Sequence, residues 1–590
     1  MKFIKVFLAG LLAFVVGSFL CMVLLIAVLV SAAGSMESTT VVRKGSVLTI
    51  DLAESITDAP ATDPFAGIDF MSMQSTPQIS LYEVLRAIDA AAADDRIDGI
   101  YIRLTGGGEI GQACIEELRA AIEAFKESGK FVVAYNETFS QGSYYLASAA
   151  DKIYMEPEGG MEWTGLSSEL MFYKGLLDKL DIKVEIFRPT ACKYKSAVEP
   201  FFLTQMSPEN RAQMQSLVDS MWGTITEAVS ASRGISVERL NELADKLAVM
   251  LPSEALEAGL IDGLAYDDQM KDILVEAGAR TDKKDELQFV TLGEYASQVG
   301  ADVKHLSSPE VAILYADGSI VDGSGTNDVY GYTLSAQLRE LREDDKVAAV
   351  VLRVNSPGGS ALASDLIWRE MELLKAEKPV VVSMGSYAAS GGYYISAPAD
   401  VIVADKMTLT GSIGVFGQYL YTADALKNKL GITIDAVKTN TSAGMGSTSP
   451  LTASERAAIM RGVDRVYERF TGLVAEGRNL PLDEVLEIAG GRVWSGSEAL
   501  SIGLIDAYGG LKTAIALAAD KAELGDDFRI VEKVEAPTGF AALFSSLTAR
   551  VRASVQQAEL GDLFKEYKAV QEATRWQGVV MYSPCRIELR

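Results

Sequence analysis

The chain states its main constraint twice. Asp94-Asp95-Arg96 leads into IDGIYIRLTGGG, and Asp344-Asp345-Lys346 leads into VAAVVLRVNSPGG, an offset of 250 that sets Arg103 opposite Arg353. SYYLASAADKIYMEPEGGMEWTG from Ser143 matches GYYISAPADVIVADKMTLTG from Gly392 at an offset of 249. SEALEAGLID from Ser253 matches SEALSIGLID from Ser497 at an offset of 244. Matches in one order at nearly one offset mark a tandem duplication. The predicted modules span 45–280 and 309–540, with a polar linker at 281–308 and a C-terminal tail at 541–590. The last residues, from Gln577 to Arg590, carry no readable role. At 590 residues the chain is too long for one core, which agrees with two modules.

Each module reads as alternating strands and helices. Continuous Val/Ile-rich runs predict buried parallel strands at Gly99–Leu104 and Val347–Val354, Lys130–Tyr135 and Pro379–Met384, and Lys152–Met155 and Val401–Ala404. Helical patterns fall between them at Leu81–Ala93 and Ala361–Lys375. This alternation predicts an α/β fold with βαβ crossovers, whose active site belongs at the carboxyl ends of strands.

Lys2 and Lys5 precede an uncharged run, and 6–34 is expected to be a transmembrane anchor. The run exceeds the about 20 apolar residues a spanning helix needs. Secretory h-regions are shorter, about 7–15 residues, although Ser31-Ala32-Ala33 resembles a cleavage site. Basic residues before the run favour a cytoplasmic N-terminus at 1–5, and Arg43 and Lys44 beyond it weaken the asymmetry. The bulk is then expected outside the cytoplasm on a single-pass tether.

Composition narrows the chemistry. Lys+Arg is 54 and Asp+Glu is 80, a net charge of −26 that disfavours a nucleic-acid partner. Four cysteines exclude a disulfide scaffold and a Cys-rich zinc module. The single histidine, His305, excludes any mechanism that needs two, including most His-based zinc sites. A Ser-His-Asp triad would have to use His305, which lies in the linker. No metal and no cofactor is expected.

The two copies serve as controls for one another, and three disagreements stand out. With the tyrosines of Ser140-Gln141-Gly142-Ser143-Tyr144-Tyr145 and Ala389-Ser390-Gly391-Gly392-Tyr393-Tyr394 matched, Ser390 falls opposite Gln141. A serine at a strand-to-helix turn before glycines suits a nucleophile; a helix N-cap is the ordinary alternative. Copy one has Cys192-Lys193-Tyr194-Lys195-Ser196-Ala197-Val198-Glu199-Pro200, where copy two has no lysine between Lys438 and Lys512. Lys195 is either a solvated surface residue or a base. Thr410-Gly411-Ser412-Ile413 stands against Thr164-Gly165-Leu166-Ser167, so Ser412 either bonds backbone or orients the lysine. The turn Asn355-Ser356-Pro357-Gly358-Gly359 completes the set. The Gly359 and Gly391 N–H groups could form an oxyanion hole. Copy one retains Gly106-Gly107-Gly108, and neither turn is a P-loop.

Serine needs a base, and a lysine serves only when neutral. Moving its pKa from about 10.4 to about 7–8 corresponds to roughly 4 kcal/mol, within what burial supplies. An amine buried where the modules meet would satisfy this, and the reaction class is acyl transfer.

YKSAVEP, AASGGYY and LTGSIGV, with the anchor and both copies, resemble the long two-repeat form of the signal peptide peptidase A (protease IV) family. The resemblance implies a tandem crotonase/ClpP-like α/β fold and a Ser-Lys serine endopeptidase of the bacterial inner membrane. It implies Ser390 as nucleophile, Lys195 as general base, Ser412 as the residue positioning the lysine, and, by analogy with related folds, Gly359 as an oxyanion donor. It further implies released signal peptides and other apolar peptides as substrates, and a homo-oligomer, a tetramer. Two rival readings are acyl-CoA chemistry, which leaves the split serine and lysine unexplained, and a membrane-bound scaffold or inactive paralogue.

Overall fold

The computed structural model describes Gly17 and residues 41–583, except 52–53, 64–66, 70–73, 77, 105–109, 300–307, 447, 535–539, 562–563, 565–566 and 569–578. The expected anchor (Gly17 apart), His305 and Gly106-Gly107-Gly108 lie outside the described residues. Among the described residues no helix is long and apolar enough to cross a membrane.

The duplication appears as two parallel sheets with one strand order. The first runs Gly263–Leu264, Lys152–Met161, Phe131–Phe139, Ile97–Arg103, Ser46–Ile50, Gln288–Thr291. In the second, the matching strands are Ala507–Tyr508, Val401–Ala404, Val380–Ala389, Val347–Ser356, Glu310–Asp317 and Arg529–Lys533. Every pairing in both of these series is parallel. Helices Leu81–Ala93 and Ala361–Lys375 start and stop at the residues expected from sequence. Ser80 caps the first in a capping box with Glu83, and Ser360 caps the second.

Two expectations shift. Gln288–Thr291 was expected within the linker, yet it forms the outer strand of the first sheet, paired with Ser46–Ile50. A capping box at Thr291 and Glu294 then starts helix Leu292–Gln298. The run Gln288-Phe289-Val290-Thr291 has no apolar–polar alternation and is too short to register as a strand until its partner supplies the ladder. The strand after Pro379 also runs to Ala389, five residues beyond the apolar stretch, and so delivers the chain directly to Ser390.

The second sheet is covered on both faces, which is why its strands read as unbroken apolar runs. Ala349 and Val351 face an interior shared with module one, while Val350, Leu352 and Val354 face module two's own helices. The shared interior includes Cys114, Leu118 and Ile122 of helix Gln112–Lys126 together with Val381, Leu511 and Ile515. Arg353 crosses this contact without exposure. Its guanidinium donates to Asp58 Oδ1 at 2.9 and 2.6 Å and to Ser383 Oγ at 2.8 Å, and it pairs with Glu117 at 2.7 Å. Arg103, its match in the repeat, pairs with Asp267 at the surface. The same residue type therefore locks the modules together in one copy and is solvated in the other.

A third sheet joins the modules directly. Strand Lys183–Phe187 of module one pairs antiparallel with Phe416–Tyr421 of module two, from Phe187 against Gly417 to Lys183 against Tyr421. Replacing Arg353 by Met would strand the buried carboxylates Asp58 and Glu117. The unfolding free energy from urea melts is expected to fall by about 3–5 kcal/mol. Arg103→Met should change it by no more than about 1 kcal/mol.

Candidate active site

Ser390 ends the long strand Val380–Ala389 at a forced turn, with φ +57° and ψ −110°. A non-glycine residue held there stores roughly 1–3 kcal/mol of strain. Its N–H donates to Gly411 O at 2.8 Å, which fixes the turn against the strand Leu409–Gly411. Ser390 stands at the N-cap position of Gly391–Ser396, but its hydroxyl makes no capping bond. In copy one, Ser140 does cap: its side chain accepts from Ser143 N at 3.2 Å. Gln141 then fills the neighbouring space, accepting from Thr164 N and Gly165 N and donating to Gly165 O. One copy plugs the turn with an amide; the other leaves a hydroxyl there.

Lys195 arrives from the opposite module. The ribbon of Lys183–Phe187 with Phe416–Tyr421 carries the chain across, and Lys195 follows eight residues later. Its backbone is tied by Arg188, which donates to Lys195 O at 2.9 Å, and by Tyr194 N donating to Gly490 O at 3.0 Å. Its Nζ donates to Ser390 Oγ at 2.6 Å, to Ser412 Oγ at 2.9 Å and to Ser412 O at 3.0 Å. Lys195 and Ser412 are 1% exposed and Ser390 is 0% exposed. Ser412, at φ +50°, is held by its N–H donating to Arg492 O at 2.7 Å, and its hydroxyl also lies 3.3 Å from Gly491 O. Its oxygen thus meets both the backbone and the lysine amine.

The glycine turn closes over the same point. A Cβ built on Gly391 would lie 3.0 Å from Gly358 Cα and 3.1 Å from Gly359 N. Gly358, Gly359 and Gly391 therefore adjoin the Ser390 turn, with the Ser364 hydroxyl the nearest side-chain atom, 2.8 Å from that Cβ position.

Reading the sequence alone misses the notch that admits the lysine. Gly491 has φ +82°, and a Cβ there would sit 2.6 Å from Lys195 Cβ. The signal was present: at the offset of 244 its counterpart in copy one is Leu247, which keeps a positive φ of 48° but lies exposed. Copy two has glycine where copy one has leucine, at the point where Lys195 Cβ lies against the backbone.

A model of peptidase family S49 matches residues 124–279 and 372–525, once in each module. The chain belongs to peptidase family S49. Protease 4 of Salmonella typhi is 35% identical, over 89% of this chain and 86% of its own length. Protease 4 of Haemophilus influenzae is 36% identical, over 83% and 81%. Serine protease SPPA, chloroplastic, of Arabidopsis thaliana is 35% identical, over 86% and 74%. A Clp protease model also matches 306–403, the stretch that ends just past Ser390. This S49 chain is accordingly a serine protease built from a tandem ClpP-like α/β module.

Gly491→Ala is expected to push Lys195 away from Ser390 and cut kcat by about 10²-fold with an unchanged circular dichroism spectrum. Leu247→Ala, at the matching point of copy one, should leave kcat unchanged.

Proposed function

We propose that this S49 peptidase is a membrane-anchored serine endopeptidase that hydrolyses apolar peptides, released signal peptides above all, with a Ser390–Lys195 dyad. The observation that carries this reading is the 2.6 Å contact between Lys195 Nζ and Ser390 Oγ, both buried and drawn from different modules.

In the working state the amine is neutral, a form that burial favours because a desolvated ammonium is costly. Ser390 Oγ attacks the peptide carbonyl carbon as its proton passes to Lys195 Nζ. The carbonyl electrons move onto oxygen, where the Gly359 and Gly391 N–H groups receive the oxyanion. Collapse breaks the C–N bond, and the Lys195 ammonium returns its proton to the departing amine. Water, deprotonated by the same amine, then attacks the ester; the C–Oγ bond breaks, the ammonium returns its proton to Ser390 Oγ, and the acid leaves. Ser412 keeps Nζ aimed at Ser390 throughout, as the third member of a triad orients its base.

The resemblance to signal peptide peptidase A supports a bacterial inner-membrane location, a cytoplasmic N-terminus and the bulk outside. A tether holds the site near peptides left in the bilayer and raises their local concentration without new contacts. An assembly of like chains, a tetramer by the same resemblance, agrees with the uncovered apolar residues of 176–180 and 430–437. Leu176, Leu180, Leu430, Ile432, Ile434 and Val437 are all exposed.

Ser390→Ala and Lys195→Ala are each expected to lower cleavage of casein and of an apolar fluorogenic peptide by at least about 10³-fold; Ser412→Ala should cost about 10- to 10²-fold. An alkylphosphonate should label Ser390 and no other residue. His305→Ala should leave the rate unchanged, and substantial activity in Lys195→Ala would remove the lysine from the dyad. For the unmodified enzyme kcat/KM should climb with pH as one proton leaves the site, because only the uncharged amine accepts the serine proton.

A further inference from the structure

A lysine acts as a base only while it carries no proton, and the charges around it help decide whether it does. One such charge is bound to the lysine's own residue. Strand Lys183–Phe187 ends one residue before Arg188, and the chain then loops back so that Arg188 Nη1 donates to Lys195 O at 2.9 Å. A guanidinium is permanently charged. Arg353 has Asp58 and Glu117 to neutralise it, and Arg456 has Glu185. Half-buried Arg188 has no carboxylate partner among the described residues. One lysine side chain and one hydrogen bond separate the two cationic groups, so the guanidinium lies within about 10 Å of Lys195 Nζ.

The other groups packed around the lysine segment are neutral, solvated or already engaged. Ser390 and Ser412 offer the amine uncharged oxygens. Cys192 is wholly buried, and burial pushes its thiol up, although the charges of Lys195 and Arg188 both act on it. On helix Ala453–Arg478, Tyr467 is pushed up to about 12 by burial, and the Asp464 charge also reaches the Cys192 thiol. Arg492 stacks on Trp494 at 3.8 Å and Tyr194 at 5.6 Å, and lies 3.7 Å from Glu498. The buried Glu199 carboxylate accepts from Ser207 N at 3.2 Å, Ser207 Oγ at 2.6 Å and Asn210 Nδ2 at 3.0 Å, where helix Pro208–Arg233 begins. On the ribbon, Lys183 pairs with Asp424 and Glu185 with Arg456. Lys193 is exposed.

We propose that Arg188 tunes the general base: its charge, fixed on the Lys195 carbonyl, repels a proton from the Lys195 amine and so readies that amine to take the proton of Ser390. This rests on the Ser-Lys reading above. Two cations in one partly desolvated region repel, and loss of the lysine proton relieves the repulsion. A cationic neighbour is one of the ways an amine is activated. Across about 10 Å, at an effective dielectric constant of about 20, one charge displaces the protonation equilibrium by about one pH unit. A neighbouring cation lowers the amine's hold on its proton, so removing that cation moves the rising limb of kcat/KM to higher pH. Arg188 contacts the lysine backbone and not the reacting atoms, which makes it a positioning residue that works through Lys195. A bond that only held the loop in place would scale the rate equally at every pH.

The test uses the full chain and follows kcat/KM for an apolar fluorogenic peptide against pH. Arg188→Gln keeps a donor and removes the charge. Its rising limb is expected about one pH unit above that of the unmodified enzyme, a loss of about 10-fold on the limb itself, with the plateau above it within about threefold. Lys193→Gln removes an exposed charge two residues from the base and should leave the limb in place. A limb that stays put in folded Arg188→Gln, or a rate lowered by one factor at every pH, overturns the proposal. Should glutamine fail to hold the loop and the chain not fold, Arg188→Lys decides. A limb within about 0.3 unit of the unmodified one supports the role of the charge, and a limb about one unit higher, with the charge kept, overturns it. Substantial cleavage by Lys195→Ala in the same assay overturns the dyad and this proposal with it. An inactive Lys195→Ala beside an unmoved limb in Arg188→Gln overturns this proposal alone.

Discussion

A buried amine must meet a buried hydroxyl that lies 195 residues further along the chain, and the rest of the structure is arranged around that contact. Neither group can search for the other at 0–1% exposure; their positions are set by the interior they share. Three devices fix it. The antiparallel ribbon between Lys183–Phe187 and Phe416–Tyr421 carries the lysine segment across. Arg353 pins Asp58 and Glu117 of one module beneath the sheet of the other. Helix Gln112–Lys126 fills one face of that sheet with apolar side chains. Separating the modules would expose a continuous core and strand several buried charges, so the geometry of the Lys195–Ser390 contact is as firm as the fold.

The duplication shows how one scaffold came to hold two unequal sites. Both copies keep the sheet order, and both keep a tyrosine whose hydroxyl donates to a distant carbonyl: Tyr144 to Leu260 O and Tyr393 to Leu504 O. They part at the turn. Ser140 spends its oxygen on a helix cap and Gln141 closes the gap, whereas Ser390 is forced into a left-handed conformation and leaves its oxygen free for the amine. Copy two accepts the strain and the loss of a cap, and gains a directed hydroxyl.

Much of this was legible beforehand. Buried parallel strands announce themselves as apolar runs, and strongly patterned helices such as Leu81–Ala93 and Ala361–Lys375 carry their own caps. Comparing the copies picked out Ser390, Lys195 and Ser412, which the fold brings within hydrogen-bonding distance. What escaped was decided by non-local partners. Gln288–Thr291 and Val579–Tyr582 are too short to identify alone and become strands through the edges they join. The extension of Val380–Ala389 past Met384 runs through Gly385 and Ser386, which break the apolar pattern. Gly491 has meaning only once Lys195 is seen pressed against it.

Drawing the amine and the hydroxyl from a single polypeptide has a genetic consequence. Where an active centre is shared between separate subunits, two defective alleles damaged in different halves can restore one another in a mixed assembly. In the active centre proposed above each chain owns both halves, so a copy lacking Lys195 and a copy lacking Ser390 have nothing to exchange through the contact seen between Lys195 and Ser390. On that reading the unit of inheritance for activity is the individual chain.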